Sequence, residues 1–185
     1  MRIVIALAAL ALSGCASPPV NRPPETPLQT VSAVDLDLYL GRWYEIARLP
    51  NQFEKNCEGV TADYAQRDDG LIQVVNTCRK GAPGGDIKTA KGRARIVDAA
   101  SNAKLEVSFF GPFWGDYWVI DLTEDYSRSI VGEPSGRYLW ILSRTPTISD
   151  ESRADALSRL ATFGYDTSAL HFTQQPPSPD NPKPE

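Results

Sequence analysis

Few side chains in this sequence are suited to catalysis, and their placement is informative. The cysteines are Cys15, Cys57 and Cys78, and the one histidine is His171. A cysteine nucleophile needs a base or a positive neighbour to become thiolate, and His171 lies far along the chain from all three. Gly-x-Ser-x-Gly, Cys-x-x-Cys and His-Glu-x-x-His are absent. Asp68-Asp69 precede Gly70 in a turn and Asp150-Glu151 follow Ser149 at a helix start, where solvation and capping account for them. The enzyme reading that survives is a Cys57 or Cys78 thiol acting on a bound hydrophobic substrate. The segment Gly41-Arg42-Trp43-Tyr44-Glu45-Ile46-Ala47-Arg48 gathers two aromatics and a carboxylate, and an active-site segment, a partner surface and a piece of architecture are the options for it. The expectation is a binding protein with no catalytic residues, cofactor or metal.

The N-terminus carries a different chemistry. Met1-Arg2 is followed by the apolar run Ile3–Leu12 and then Leu12-Ser13-Gly14-Cys15. This resembles the bacterial lipobox, in which a signal peptide (residues 1–14) is cleaved and Cys15 carries acyl chains. Several buried acyl chains hold a protein firmly on a bilayer. Asp after the lipidated cysteine implies inner-membrane retention in sorted lipoproteins; Ala16 stands there, which points to the outer membrane with the domain facing the periplasm. Cys57 and Cys78 then sit in an oxidising compartment, where a disulfide, two buried thiols or a reactive pair are the options. The formal net charge of −4 speaks against nucleic acid as a partner.

These residues need a scaffold. Residues 15–34 contain Pro18, Pro19, Pro23, Pro24 and Pro27 and read as an extended tether. Residues 174–185 are Pro-rich and polar and read as disordered. Between them, residues 35–173 alternate in short runs with period two, broken by turn residues. Runs begin near Arg42, Val60, Leu71, Ile87, Lys104, Asp116, Arg128 and Arg137. One helix follows, opened by Thr147 or Ser149 and ended at Gly164. Eight hairpin-linked strands and a late helix predict an all-β fold, an eight-stranded antiparallel up-and-down β-barrel with one C-terminal α-helix; a sandwich is the alternative.

At this point the sequence resembles the lipocalin family, in particular its bacterial outer-membrane group. Gly41-Arg42-Trp43 matches the family's first motif. Thr123-Glu124-Asp125-Tyr126 resembles the second with altered order, and Ser143-Arg144-Thr145-Pro146 matches the third. The segments "KLEVSFFGPFWGDYWVI" and "YLWILSRTPTISDE" are very like those of the bacterial group. The resemblance implies that Trp43 closes the barrel floor, that Arg144 lies across its indole, and that Gly41 turns the chain into the first strand.

With Trp43 inward, strand parity proposes a lining. It comprises Glu45, Ala47, Tyr64, Val74, Asn76, Ala94, Val107, Phe109, Tyr117, Val119, Tyr138 and Trp140, with Ala62, Ile72, Ala90, Gly92, Ile96, Leu105 and Leu142 completing the wall. Such a lining suits a fatty acid or a lysophospholipid, its chain driven in by about 25 cal/mol per Å² buried and its head oriented by tyrosine hydroxyls and Asn76. Phe113 and Trp114 lie in a Gly/Pro turn. Bare aromatics there suit a homodimer contact or the membrane surface. A structural envelope lipoprotein with a filled barrel is the remaining reading.

Overall fold

The computed structural model describes residues 19–177. Cys15 and the expected signal segment lie outside them, as do residues 178–185.

A short helix, α1 (Leu36–Tyr39), precedes eight strands: β1 (Gly41–Arg48), β2 (Cys57–Gln66), β3 (Ile72–Lys80), β4 (Ile87–Ile96), β5 (Lys104–Ser108), β6 (Gly115–Leu122), β7 (Arg128–Gly132) and β8 (Leu139–Ser143). Helix α2 (Asp150–Thr162) and a two-residue strand β9 (His171–Phe172) follow. Each strand pairs antiparallel with the next, and β1 pairs with both β8 and β2. That double pairing closes the sheet and removes its edges. The predicted barrel and helix are present. Strand β8 starts two residues later than the sequence suggests, which leaves Arg137 and Tyr138 in the loop before it.

Local chemistry explains the elements. The Ser149 side chain caps α2 by accepting from the Ser152 N–H, with Asp150 and Glu151 in the first turn. Asp35 caps α1 by accepting from the Asp37 N–H at 3.0 Å. Four residues give no readable period, so α1 is not legible in the sequence. Gly41 enters β1 at φ +92°, in the left-handed region, where a side chain is strained, and with the Arg144 guanidinium 3.6 Å from the place a Cβ would take.

The apolar residues form an outer and an inner core. The outer one sets Ile46, Ala47, Ile120, Ile130, Leu139 and Ile141 against Ala156 and Leu160 of α2. The inner one lies within the barrel, around Trp43, Val119, Val131 and Leu142 on one side and Ile72, Val74, Ala94 and Leu105 on the other.

Two expectations need correction. From Asn21 to Val34 the chain does not stand off as a tether. The Asn21 N–H donates to the Gly136 carbonyl, Val31 to Val119 and Val34 to Ser101. Arg22, Leu28 and Val34 are buried. Prolines favour an extended path, but the apolar residues spaced between them find barrel surface to cover. The C-terminal segment is also held at its start. Gly59 donates to the Gln174 carbonyl at 2.8 Å, and the Gln175 amide donates to the carbonyls of Glu45 and Val60. It caulks the seam above Tyr44 and Thr61, where the pairing of β1 with β2 ends.

Candidate functional site

The floor of the barrel is built around Trp43, which is fully buried. Its indole N–H donates to the Tyr39 carbonyl at 2.8 Å. Arg144 leaves the end of β8 and lays its guanidinium 3.8 Å from the indole centroid. The same guanidinium donates to the carbonyls of Leu38, Tyr39 and Arg42, which lock α1 beneath the barrel. Above the indole, three phenols share hydroxyl contacts: Tyr39 and Tyr117 at 3.0 Å, and Tyr64 and Tyr117 at 3.1 Å. Ser129 completes the set, 3.0 Å from the Tyr39 hydroxyl. Burial pushes the phenols of Tyr39, Tyr64 and Tyr117 up, so they stay neutral.

Away from the floor the inner wall loosens. Ala90 is exposed, and Asn76, Gly92, Val107, Phe109, Tyr138 and Trp140 are half-buried. Tyr138 stacks on Trp140 with ring centroids 6.1 Å apart and on Phe53 of the β1–β2 loop at 6.0 Å. Gly92 makes room here, because a Cβ would fall 2.8 Å from the Phe109 ring. The wall is also notched. Strand β4 has β3 beside it from Ile87 to Ala94, but β5 joins it only from Arg93 onward. A groove of about 520 Å³ opens there, lined by Arg67, Gln73, Lys91, Arg93, Ser108 and Phe109 among others.

One polar cluster sits on β1. Arg48 donates to Glu45 at 2.5 Å, both side chains being almost fully buried. Arg48 also donates to the carbonyls of Glu54 and Cys57. The Trp140 indole N–H donates to the Glu54 carboxylate at 2.9 Å. Burial, and then the charge of Glu54, push the Glu45 carboxyl well above its ordinary range. Its Oε2, and the Oδ1 of Asn76, are shut away from solvent with no partner in the protein. A cleft of about 340 Å³ adjoins this cluster, lined by Arg48, Asn51, Glu54, Cys57 and His171 among others.

Comparison with known proteins bears on this geometry. Residues 34–175 match the family model of the Lipocalin-like domain. The chain is a lipocalin. It is 43% identical over 178 residues to the outer membrane lipoprotein Blc of Escherichia coli K12, covering 95% of this chain and 97% of that one. The outer membrane lipoprotein Blc of Vibrio cholerae is 40% identical over 174 residues, covering 94% and 98%. Among solved structures, insecticyanin from the tobacco hornworm Manduca sexta superposes with a TM-score of 0.65 over 87% of both chains; at 22% identity it speaks for the fold alone.

The lipocalin barrel places the proposed lining residues unequally. Tyr64, Val74, Ala94, Val107, Phe109, Tyr117 and Val119 join the inner clusters, as does Trp140. The hydroxyls of Tyr64 and Tyr117 contact each other, which takes up part of their hydrogen-bonding capacity. Ala47 is a correction. Glu45 pairs with Leu142 but Ala47 pairs with Ile141, a bulge that spends one extra residue of β1. Ile46 and Ala47 therefore both face α2, and Arg48 takes the inward place. No periodicity announces a bulge, so strand parity alone misses Arg48. Cys57 and Cys78 are joined in a disulfide, across the β2–β3 hairpin from its turn. Trp114 is not bare: Arg93 and Arg95 lie over its ring at 5.3 and 4.3 Å. Phe113, by contrast, is 76% exposed. His171 is placed on β9, 2.9 Å from the Glu58 carboxylate.

Proposed function

We propose that this lipocalin holds one fatty acid or lysophospholipid in its barrel, without catalysis, for lipid storage or transport in maintenance of the cell envelope. The observation that carries the reading is the inner wall itself. Above the phenols of the floor it is largely apolar, yet it carries two buried acceptors without a partner in the protein, Glu45 Oε2 and Asn76 Oδ1. A buried unpaired acceptor costs about 1–3 kcal/mol, which a donor on the ligand would recover. Of the two lipid classes, a lysophospholipid suits these acceptors better. Its glycerol hydroxyl or ethanolamine ammonium can donate, whereas a fatty carboxylate can only accept and brings another anion towards the charge of Glu54.

The lipobox supports an anchor at Cys15, and the names of the Escherichia coli and Vibrio cholerae relatives support an outer-membrane home. With Cys57 bonded to Cys78, that pair offers no thiol to an enzyme.

Displacement of a fluorescent fatty-acid probe tests the reading, on protein lacking residues 1–15. Lysophosphatidylethanolamine is expected to displace the probe saturably and more tightly than palmitate does. A folded barrel, confirmed by circular dichroism, that binds no probe would overturn the carrier in favour of a structural lipoprotein.

A further inference from the structure

We infer that the open end of the barrel docks face-down on the bilayer, with Phe53, Phe110 and Phe113 seated in the membrane surface. The inference rests on the anchor at Cys15.

The first support is where the chain is pinned. The floor lies at Trp43 and Arg144; the opposite end carries the β1–β2, β3–β4, β5–β6 and β7–β8 loops. Asn21 is fastened to the last of these, its N–H donating to Gly136 at 2.9 Å. The buried Arg22 reaches the carbonyls of Pro134 and Phe163, and the Asp166 N–H returns to the Asn21 carbonyl. From there the chain runs down the outer wall to Val34 at the floor end. Five residues lie between Cys15 and Asn21, six chain steps with a reach of about 20 Å when fully extended. A floor-down pose would lift Asn21 by the height of the barrel. Ten residues of β2, at ~3.3 Å each and a ~40° tilt, make that about 25 Å. The anchor therefore holds the open end nearer the membrane than the floor.

The second support is what the open end shows. Phe53 is 66% exposed, and Phe110 and Phe113 are each 76% exposed. Val20 and Ile87 are exposed at the same end, while only Leu38 and Val97 are exposed large apolar residues at the other, among the described residues. Phe and its neighbours on loop tips are costly in water and favourable at the headgroup boundary.

The third support is the notch beside the Phe110–Phe113 loop. In a chain of net charge −4, its lining carries Lys91 and Arg93 of β4 and no carboxylate; its third cation, Arg67, lies on the β2–β3 turn at the floor end and is paired with Asp69. The arrangement suits lipid phosphates outside and leads past Gly92 and Phe109 to the inner wall. A lipid could then pass from bilayer to barrel without crossing bulk water.

The test uses the mature lipidated protein in vesicles of phosphatidylethanolamine and phosphatidylglycerol carrying a quencher near the acyl carbonyls. Tryptophan is introduced singly by Phe53→Trp and Phe113→Trp at the mouth and by Leu38→Trp at the floor. The emission added at the mouth should fall by roughly half, and that added at Leu38 should not change. Equal quenching at the floor, or none at the mouth, overturns the orientation. Absence of quenching with a concentration-dependent dimer that Phe113→Ser abolishes assigns this face to a second copy and also overturns it. Mass spectrometry of the same sample reads the anchor separately: unmodified Cys15 overturns the anchor and the orientation together, whereas an acylated chain without mouth quenching overturns the orientation alone.

Discussion

The Arg144 guanidinium and the Trp43 indole lie face to face, 3.8 Å from carbon to ring centroid, and they close the barrel from two ends of the chain. The contact joins the strand that opens the barrel to the one that completes it. Burial lowers the affinity of Arg144 for its proton, but the indole face and three carbonyls hold the cation in place. Arg144→Ala removes the cation–π contact and strands the carbonyls of Leu38, Tyr39 and Arg42. A loss of about 2–4 kcal/mol is expected in urea denaturation. Arg144→Lys keeps the charge but loses the planar fork and should recover less than half of that.

The bulge in β1 separates stability from binding. Ala47→Leu adds volume against Ala156 and Leu160 and should cost about 1–3 kcal/mol. Probe affinity should hold, because the side chain never enters the bore. Ala90→Trp, on the exposed part of the inner wall, should leave stability within about 0.5 kcal/mol and weaken probe binding at least tenfold. If Ala47→Leu were the variant that lost binding, the parity assigned after Glu45 would be wrong.

The barrel is legible in the sequence because its cause is periodic. Alternation in β2, β4 and β5 places Asp63, Arg95 and Glu106 outside, and one-residue parity then fixes the inward set. What escapes is aperiodic. The bulge at Ile46 reverses parity without changing composition, which hides Arg48 and misplaces Ala47. Helix α1 is one turn long. The proline-rich stretch before it carries Leu28 and Val34 too sparsely for a pattern, so their burial shows only once there is a wall to bury them against. The cluster of Glu45, Arg48 and Glu54 draws on a strand and a loop, and only closure of the barrel brings them together.

The Cys57–Cys78 bridge spans 21 residues of sequence, all of it the β2–β3 hairpin. On the chain-entropy account, closing a loop of this size stabilises the fold by about 3 kcal/mol. Reduction, or Cys57→Ala with Cys78→Ala, should lower the urea midpoint accordingly while the barrel still forms, since the hairpin keeps its ladder and its apolar partners. A fall of less than about 1 kcal/mol would show that the hairpin is already ordered in the unfolded chain.

Glu45 gives the protein a pH dependence of defined sign. Its carboxyl is pushed well above the ordinary 4.5 by burial and by Glu54, while Arg48 and Thr173 pull the other way. A carboxyl that holds its proton more tightly when folded makes the folded state take up that proton. The stability it confers is complete below about 4.5 and is lost as pH rises through the folded value. Each tenfold gain in proton affinity on folding corresponds to about 1.4 kcal/mol. Thermal midpoints measured from about pH 4 to pH 8 should therefore fall less steeply in Glu45→Gln than in the parent protein. Saturating lysophosphatidylethanolamine should flatten the parent's slope in the same way, because an ammonium against Glu45 Oε2 favours the ionised carboxylate. Parallel slopes for parent and variant would mean that Arg48 neutralises Glu45 fully, and that the carboxyl is charged at every pH at which the barrel is folded.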